Sequence, residues 1–286
     1  MLSRLITAGI ALIICSLPTF SISGSEIAEV QGNRNQFLRV MTYNIRAADY
    51  GLNNIIATLK EAEADIIALQ EVDKLVRRTG RIDQPEKIAR SLHMNCEFRR
   101  HFSYQGGEFG LALLSRYKID HVERVRVRYR ELFSSLVLLK ARVHTPERPV
   151  NVIVVHFHPT NPFDKEITKK ENNAARLCEA KRAFEIATIH DTPFLIMGDF
   201  NANSGSPEYG LFSEKFQDCC RIAGGLWEKT WPAKFPITRI DYIWASRHFT
   251  VLRCRTLRSR ASDHLPVIAE IQQMTGLSQK ALKCGD

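Results

Sequence analysis

The sequence is short of acid. Its 286 residues carry 31 Asp and Glu against 40 Lys and Arg, a formal net charge of +9. That balance excludes an acidic, solvating chain and favours anionic partners: nucleic acid, phosphorylated small molecules or anionic lipid. Beyond the first 23 residues no apolar run is long enough to span a bilayer. The seven cysteines fall into no zinc-binding spacing. Repeats, low-complexity tracts and a Pro- or Gly-rich linker are all missing, so the chain reads as one domain. Hydrophobic residues make up 44% and charged residues 25%, enough apolar material for a sizeable core.

What is present starts at the N-terminus. Arg4 supplies a positive charge, Leu5 to Leu17 is almost wholly apolar, and Pro18 breaks the run before Ser21-Ile22-Ser23. Residues 1–23 read as a secretory signal peptide, which places the protein outside the cytoplasm, secreted or periplasmic. The alternative is an uncleaved signal that anchors the chain to a membrane. Residues 24–36 read as a loose polar segment, 37–273 as the domain and 274–286 as a tail. Cys15 follows Ile14 rather than a small residue, which argues against a lipoprotein site. Six cysteines remain: Cys96, Cys178, Cys219, Cys220, Cys254 and Cys284. Buried free thiols and one or two disulfides both stay open.

Several strands are predicted to end on polar residues. Phe37 to Tyr43 ends at Asn44, and Ala64 to Leu69 ends at Gln70-Glu71, with helical spacing between them in Leu52, Ile55, Ile56 and Leu59. Phe98–Tyr104 and Phe109–Ser115 read as a hairpin through Gly106-Gly107, and Pro85–Leu92 as a helix. Leu136–Val143 and Val150–Phe157 form a strand pair that delivers His156 and His158, and Asp164–His190 is a long amphipathic helix. Strand ends of this kind are where α/β sheets place ligand sites. Arg77, Arg78 and Arg81 lie in a charged loop, and Arg124, Arg126, Arg128 and Arg130 share one strand face; either group fits phosphates or simply a solvated surface.

The apolar run Thr192–Met197 stops at Gly198, and Asp199 and Asn201 leave it two residues apart. In extended chain their side chains share a face, a carboxylate beside a carboxamide, suited to orienting a water and holding a phosphate oxygen. The local alternative is a strand-ending Asx turn. Glu71 is the first candidate ligand for a hard cation, which takes oxygen donors. Asp241 sits between apolar neighbours, a position that demands a partner or a site. Ser262-Asp263-His264-Leu265-Pro266 precedes the last strand.

Five stretches carry a resemblance. Thr42-Tyr43-Asn44-Ile45-Arg46, Leu69-Gln70-Glu71-Val72-Asp73, Gly198-Asp199-Phe200-Asn201, Arg239-Ile240-Asp241-Tyr242-Ile243 and Ser262–Pro266, in that order, resemble the endonuclease/exonuclease/phosphatase superfamily of pancreatic-type deoxyribonuclease and abasic-site endonucleases. The resemblance implies a four-layer α/β sandwich, two packed mixed β-sheets flanked by helices. It also implies phosphoester hydrolysis with Mg²⁺ (or Mn²⁺). By motif, Glu71 holds the metal with Asn44 and Asp263. His264 acts as general base or phosphate-polarising acid, oriented by Asp241. Asp199 and Asn201 position the water and transition state, and His158 contacts the scissile phosphate. Nucleic acid is the favoured substrate over phospholipid or inositol phosphate, and the protein is expected to be a monomer with no stable protein partner. Two departures stand out. Where family members often read Asn-Thr-His-Leu, this chain has His156-Phe157-His158-Pro159, which leaves His156 without a role. Where many read Gly-Asn-Ala, it has Gly110-Leu111-Ala112.

Overall fold

The computed structural model describes residues 37–129, 136–159, 168–225 and 228–274. The expected signal peptide, the 24–36 segment, nearly all of the tail, the start of the long helix, Arg130, Trp227 and Cys284 lie outside the described residues. In chain order the elements are β1 (Leu38–Asn44), α1 (Leu52–Ala62), β2 (Ile66–Lys74), α2 (Gln84–Leu92), β3 (Asn95–Tyr104), β4 (Gly107–Ser115), β5 (Ile119–Val127), β6 (Leu136–Val143) and β7 (Val150–His156). They continue with α3 (Lys169–Thr188), β8 (Phe194–Asp199), α4 (Pro207–Ser213), β9 (Phe216–Asp218), α5 (Cys219–Ile222), β10 (Asp241–Ser246), β11 (Phe249–Thr256) and β12 (Val267–Gln273).

The strands form two six-stranded mixed sheets, ordered β11-β12-β1-β2-β4-β3 and β5-β6-β7-β8-β10-β9. Period-two alternation sorts their side chains into layers. In β8, Leu195 and Met197 join the core between the sheets, while Phe194 and Ile196 face the helix side. β10 repeats the pattern, with Ile243 and Ala245 inward and Tyr242 and Trp244 outward. In β1, Val40 points inward and Met41 and Tyr43 outward. The outer faces are covered by Ile55 and Leu59 of α1 and Ile88 of α2 on one side, and by Ala180 and Ala183 of α3 on the other. The result is helix, sheet, sheet, helix: the four-layer sandwich expected from the motifs.

Local chemistry starts the helices. Asp83 accepts the Glu86 N–H at the start of α2, with Pro85 in its first turn. Thr168 and Glu171 form a reciprocal capping box that opens α3. A disulfide, Cys220–Cys254, joins α5 to β11 and so ties the edge of one sheet to the edge of the other. Among the described residues Cys96, Cys178 and Cys219 are free thiols.

Candidate active site

The same alternation that fills the inter-sheet core delivers the site. Continuing the inward rows gives Asn44 on β1, His156 on β7, Asp199 on β8 and Asp241 on β10, each at a strand terminus. His156 is register-paired with Asp199 across parallel strands, and Asp199 with Asp241 across antiparallel ones. Glu71 breaks the rule. Regular alternation after Ile66 and Ala68 would aim Gln70 inward and Glu71 at the helices. Instead the β2–β4 register shifts between Leu69 and Val72, and Glu71 takes a left-handed φ of 55°. The bulge re-aims its carboxylate into the site, where Asn44 Nδ2 donates to Oε1 at 2.8 Å.

Asn44 also donates to Asp199 Oδ2 at 3.1 Å, while its own Oδ1 accepts the Arg46 N–H at 3.0 Å. Gly198 lets β8 lie against β7: a Cβ there would sit 1.9 Å from the Val155 carbonyl oxygen. Beyond β8, Asn201 adopts a φ of 48°. Its N–H donates to Asp199 Oδ1 at 2.8 Å and its side-chain amide to the Phe157 carbonyl at 2.9 Å. The Asx turn is therefore present, and it holds the Asp199 carboxylate still.

His264 completes the cluster. Its Nδ1 lies 2.9 Å and 3.2 Å from the two Asp241 oxygens, so Nδ1–H donates, and Nε2 faces Asp199 Oδ2 at 3.7 Å. Burial alone would lower the imidazole pKa, but the Asp241 and Asp199 carboxylates outweigh it and push it up to about 10. Asp199 moves upward from the usual carboxylate range through burial and the neighbouring Asp241, against the pull of His264 and His156. The two shifts describe one proton shared within a buried set, and we assign it to His264, which carries the direct hydrogen bond. Ser262 Oγ anchors the His264 loop by donating to the Asn44 carbonyl at 2.8 Å. Thr230 Oγ1 accepts the N–H groups of Ile240 and Asp241 and so sets the start of β10.

The chain that carries this buried Asp–His pair, second carboxylate and bulge-mounted Glu matches a known group of proteins. The model of the endonuclease/exonuclease/phosphatase family matches residues 41–264. The chain belongs to that family. The Escherichia coli protein YbhP, itself uncharacterized, is 27% identical over 261 residues, covering 82% of this chain and 95% of YbhP. A Beutenbergia cavernae member of the family superposes with a TM-score of 0.66 at 19% identity, over 83% of this chain and 72% of that one. A Neisseria 3′ phosphatase, NExo, bound to a product DNA hairpin, gives 0.62 at 20% identity, over 82% and 99% of the two chains. At these identities the two structures speak for the fold alone. Members of the family are phosphoesterase hydrolases and depend on divalent metals.

Of the expected site residues, the structure gathers Asn44, Glu71, Asp199, Asn201, Asp241 and His264. Asn44 turns its amide N–H₂ toward Glu71 and Asp199 and its carbonyl oxygen toward the Arg46 N–H, and so orients the two carboxylates. Asp263 is ion-paired to Arg46 at 3.0 Å at the rim. His158, half-buried just past β7, donates its main-chain N–H to the buried Glu179 carboxylate at 2.7 Å. The histidine found among the acids is His156, with Nε2 3.8 Å from Glu71 Oε1 and 3.7 Å from Asp199 Oδ2. Sequence reasoning left it aside, yet the row Val150, Val152, Val154, His156 carries the signal. Arg78 is committed to Asp73 through two hydrogen bonds of 2.8 and 2.9 Å and stacks over Tyr104, while Arg77 and Arg81 remain exposed. The arginine strand divides as well. Arg124 donates to the carbonyls of Arg100 and His101, and Arg126 and Arg128 face solvent.

The donor set suits a hard divalent cation: carboxylate oxygens of Glu71 and Asp199 both accept from the Asn44 amide and both lie beside the His156 imidazole. Asp199, Asp241 and His264 also form a compact acid–imidazole group. There, however, the Asp241 oxygens and His264 Nδ1 are spent on each other, which leaves the Glu71 side as the better place for an ion.

Proposed function

We propose that this protein is a divalent-metal-dependent phosphodiesterase that acts on nucleic acid outside the cytoplasm. The observation that carries the reaction type is the Asp241–His264–Asp199 alignment beside Glu71. A Mg²⁺ or Mn²⁺ ion held by Glu71 supplies, when bound, a Lewis acid for the phosphoryl oxygens. The chain's own groups do the rest. Asp241 fixes the His264 tautomer and stabilises its imidazolium, and the Nε2 edge faces the reacting centre. Asp199, locked by Asn44 and by the Asn201 N–H, accepts the proton of an attacking water. His264 in its charged form stabilises the phosphorane-like charge and protonates the leaving oxygen.

Nucleic acid is supported by the net charge of +9 and by the exposed Arg77, Arg81, Arg126 and Arg128. The NExo neighbour, bound to DNA, is consistent with it. Export is supported by the pattern of residues 1–23 and by the Cys220–Cys254 bridge, a bond favoured in oxidising compartments. One observation favours a second substrate class, a phospholipid headgroup. Trp231, Phe235 and Ile237 are 38%, 70% and 67% exposed on a loop whose Ala233 N–H donates to the Asp263 carbonyl.

The test is hydrolysis by residues 24–286 with Mg²⁺ or EDTA, offering plasmid DNA, RNA, sphingomyelin vesicles and inositol phosphates side by side. Nicking of nucleic acid, abolished by EDTA and by His264→Ala and falling steeply with salt, is the expected outcome. Metal-dependent release from lipid or inositol phosphate alone would overturn the substrate and keep the reaction type.

A further inference from the structure

Building on the metal-dependent reading above, we propose that His156 is a nitrogen ligand of the catalytic ion, which gives this site a preference for Mn²⁺-like transition metals over Mg²⁺. His156 closes β7 in the inward row and is only 12% exposed in its side chain. Its Nε2 stands almost equidistant from Glu71 Oε1, at 3.8 Å, and Asp199 Oδ2, at 3.7 Å. Both separations are too long for hydrogen bonds. The 3.8 Å between His156 and Glu71 matches the spacing of two donors that share one ion, because ligand atoms about 2.1 Å from a common metal stand roughly 3–4 Å apart.

The ring is held for that task. It stacks on His101 at 6.2 Å with the planes 14° apart, and His101 is pinned from behind by its Nε2 contact of 2.8 Å to the Val137 carbonyl. The two carboxylates are held as well, by Asn44, which donates to the same Glu71 Oε1 and Asp199 Oδ2 atoms. The His156 imidazole and the Glu71 carboxylate make a mixed nitrogen–oxygen donor pair, with Asp199 beside them as the base. Mg²⁺ prefers all-oxygen surroundings, whereas Mn²⁺ and its heavier neighbours accept imidazole nitrogen readily.

The experiment reads the ion rather than turnover. Wild-type protein, His156→Asn, His156→Gln and His264→Ala are loaded with Mn²⁺ and examined by electron spin-echo envelope modulation, with ¹⁵N-histidine labelling. Mn²⁺ and Mg²⁺ affinities are measured by calorimetry on the same samples, and folding is checked by circular dichroism. A histidine-nitrogen modulation is expected in the wild type and in His264→Ala, and its loss in both His156 variants. Mn²⁺ affinity in those variants should fall about tenfold or more while Mg²⁺ affinity changes by less than about threefold. Mn²⁺ that binds the wild type without a nitrogen coupling overturns the inference and leaves the proposed function standing. A coupling that survives in a folded His156 variant overturns it too. A wild type that binds no Mn²⁺ at all overturns both.

Discussion

At the scale of single residues, His264 is set apart by how it keeps its proton. Two carboxylates hold its pKa up to about 10 against the effect of burial, above the ordinary histidine value near 6.5. The folded state therefore binds this proton more tightly than the unfolded chain does. The resulting stabilisation is complete below pH ~6.5 and is lost as pH rises through about 10. In metal-free protein, NMR titration should find His264 still charged at pH 8, and Asp241→Asn should return it toward the ordinary range. The same variant should lose about 10²–10⁴-fold in kcat, the scale of one general acid–base group; an unchanged His264 titration would remove Asp241 as its partner. Glu179 poses the opposite problem. Its carboxyl is wholly buried, accepts the His158 N–H with Oε2, has no partner for Oε1 among the described residues, and is pushed well above the usual range by that burial. Raising pH above the ordinary carboxyl value then costs stability, so Glu179→Gln should gain on the wild type in urea melts as pH goes from 5 to 8. A constant difference across that range would show that Glu179 does not titrate with folding.

Among the elements, the β7–β8 pair is the most demanding. Its parallel register sets His156 beside Asp199, and the approach at Gly198 leaves no room for a side chain. Gly198→Ala should cost about 3 kcal/mol in chemical denaturation, at the upper end of overpacking. Hydrolysis should fall with it, because the carboxylate that follows is displaced; near-wild-type stability would mean the strands can part. The disulfide works across elements. Closing a 34-residue loop is worth about 3–4 kcal/mol on the chain-entropy account. Cys220→Ser with Cys254→Ser should lower the unfolding free energy by roughly that amount and leave metal affinity intact, since the bridge sits at the sheet edges. Weakened metal binding in the double variant would mean that the edge staple also shapes the site.

For the whole molecule, the site is a meeting place of two sheets whose inward rows end in acid. Glu71, Asp199 and Asp241 bring repulsion to one end of the sandwich, relieved by His264 and by whatever cation binds. A divalent ion at a hundredfold excess over its Kd should therefore raise Tm by about 5–10 °C, reversibly with EDTA. A Tm unmoved by Mn²⁺, Mg²⁺ and EDTA would argue that the folded protein holds no ion.

The sequence alone determined where the strands run and which polar residues end them. Near-continuous apolar runs such as Phe194–Met197 specify strands buried on both faces, and the motifs around Asn44, Glu71, Asp199, Asp241 and His264 place polar side chains at or just past strand ends, because strand-end position and side-chain type are local properties. Tertiary structure decided what depends on neighbours. The bulge that turns Glu71 inward exists only against β4, and the pairing of His156 with Asp199 only through β7–β8 register. Arg78 is paired with the buried Asp73 carboxylate, and Arg124 is bound to backbone carbonyls of β3. Asn44 presents nitrogen rather than oxygen because Arg46 N–H claims its carbonyl. None of these is written in a residue's own propensity. Each follows from which groups the fold brings within reach of one another.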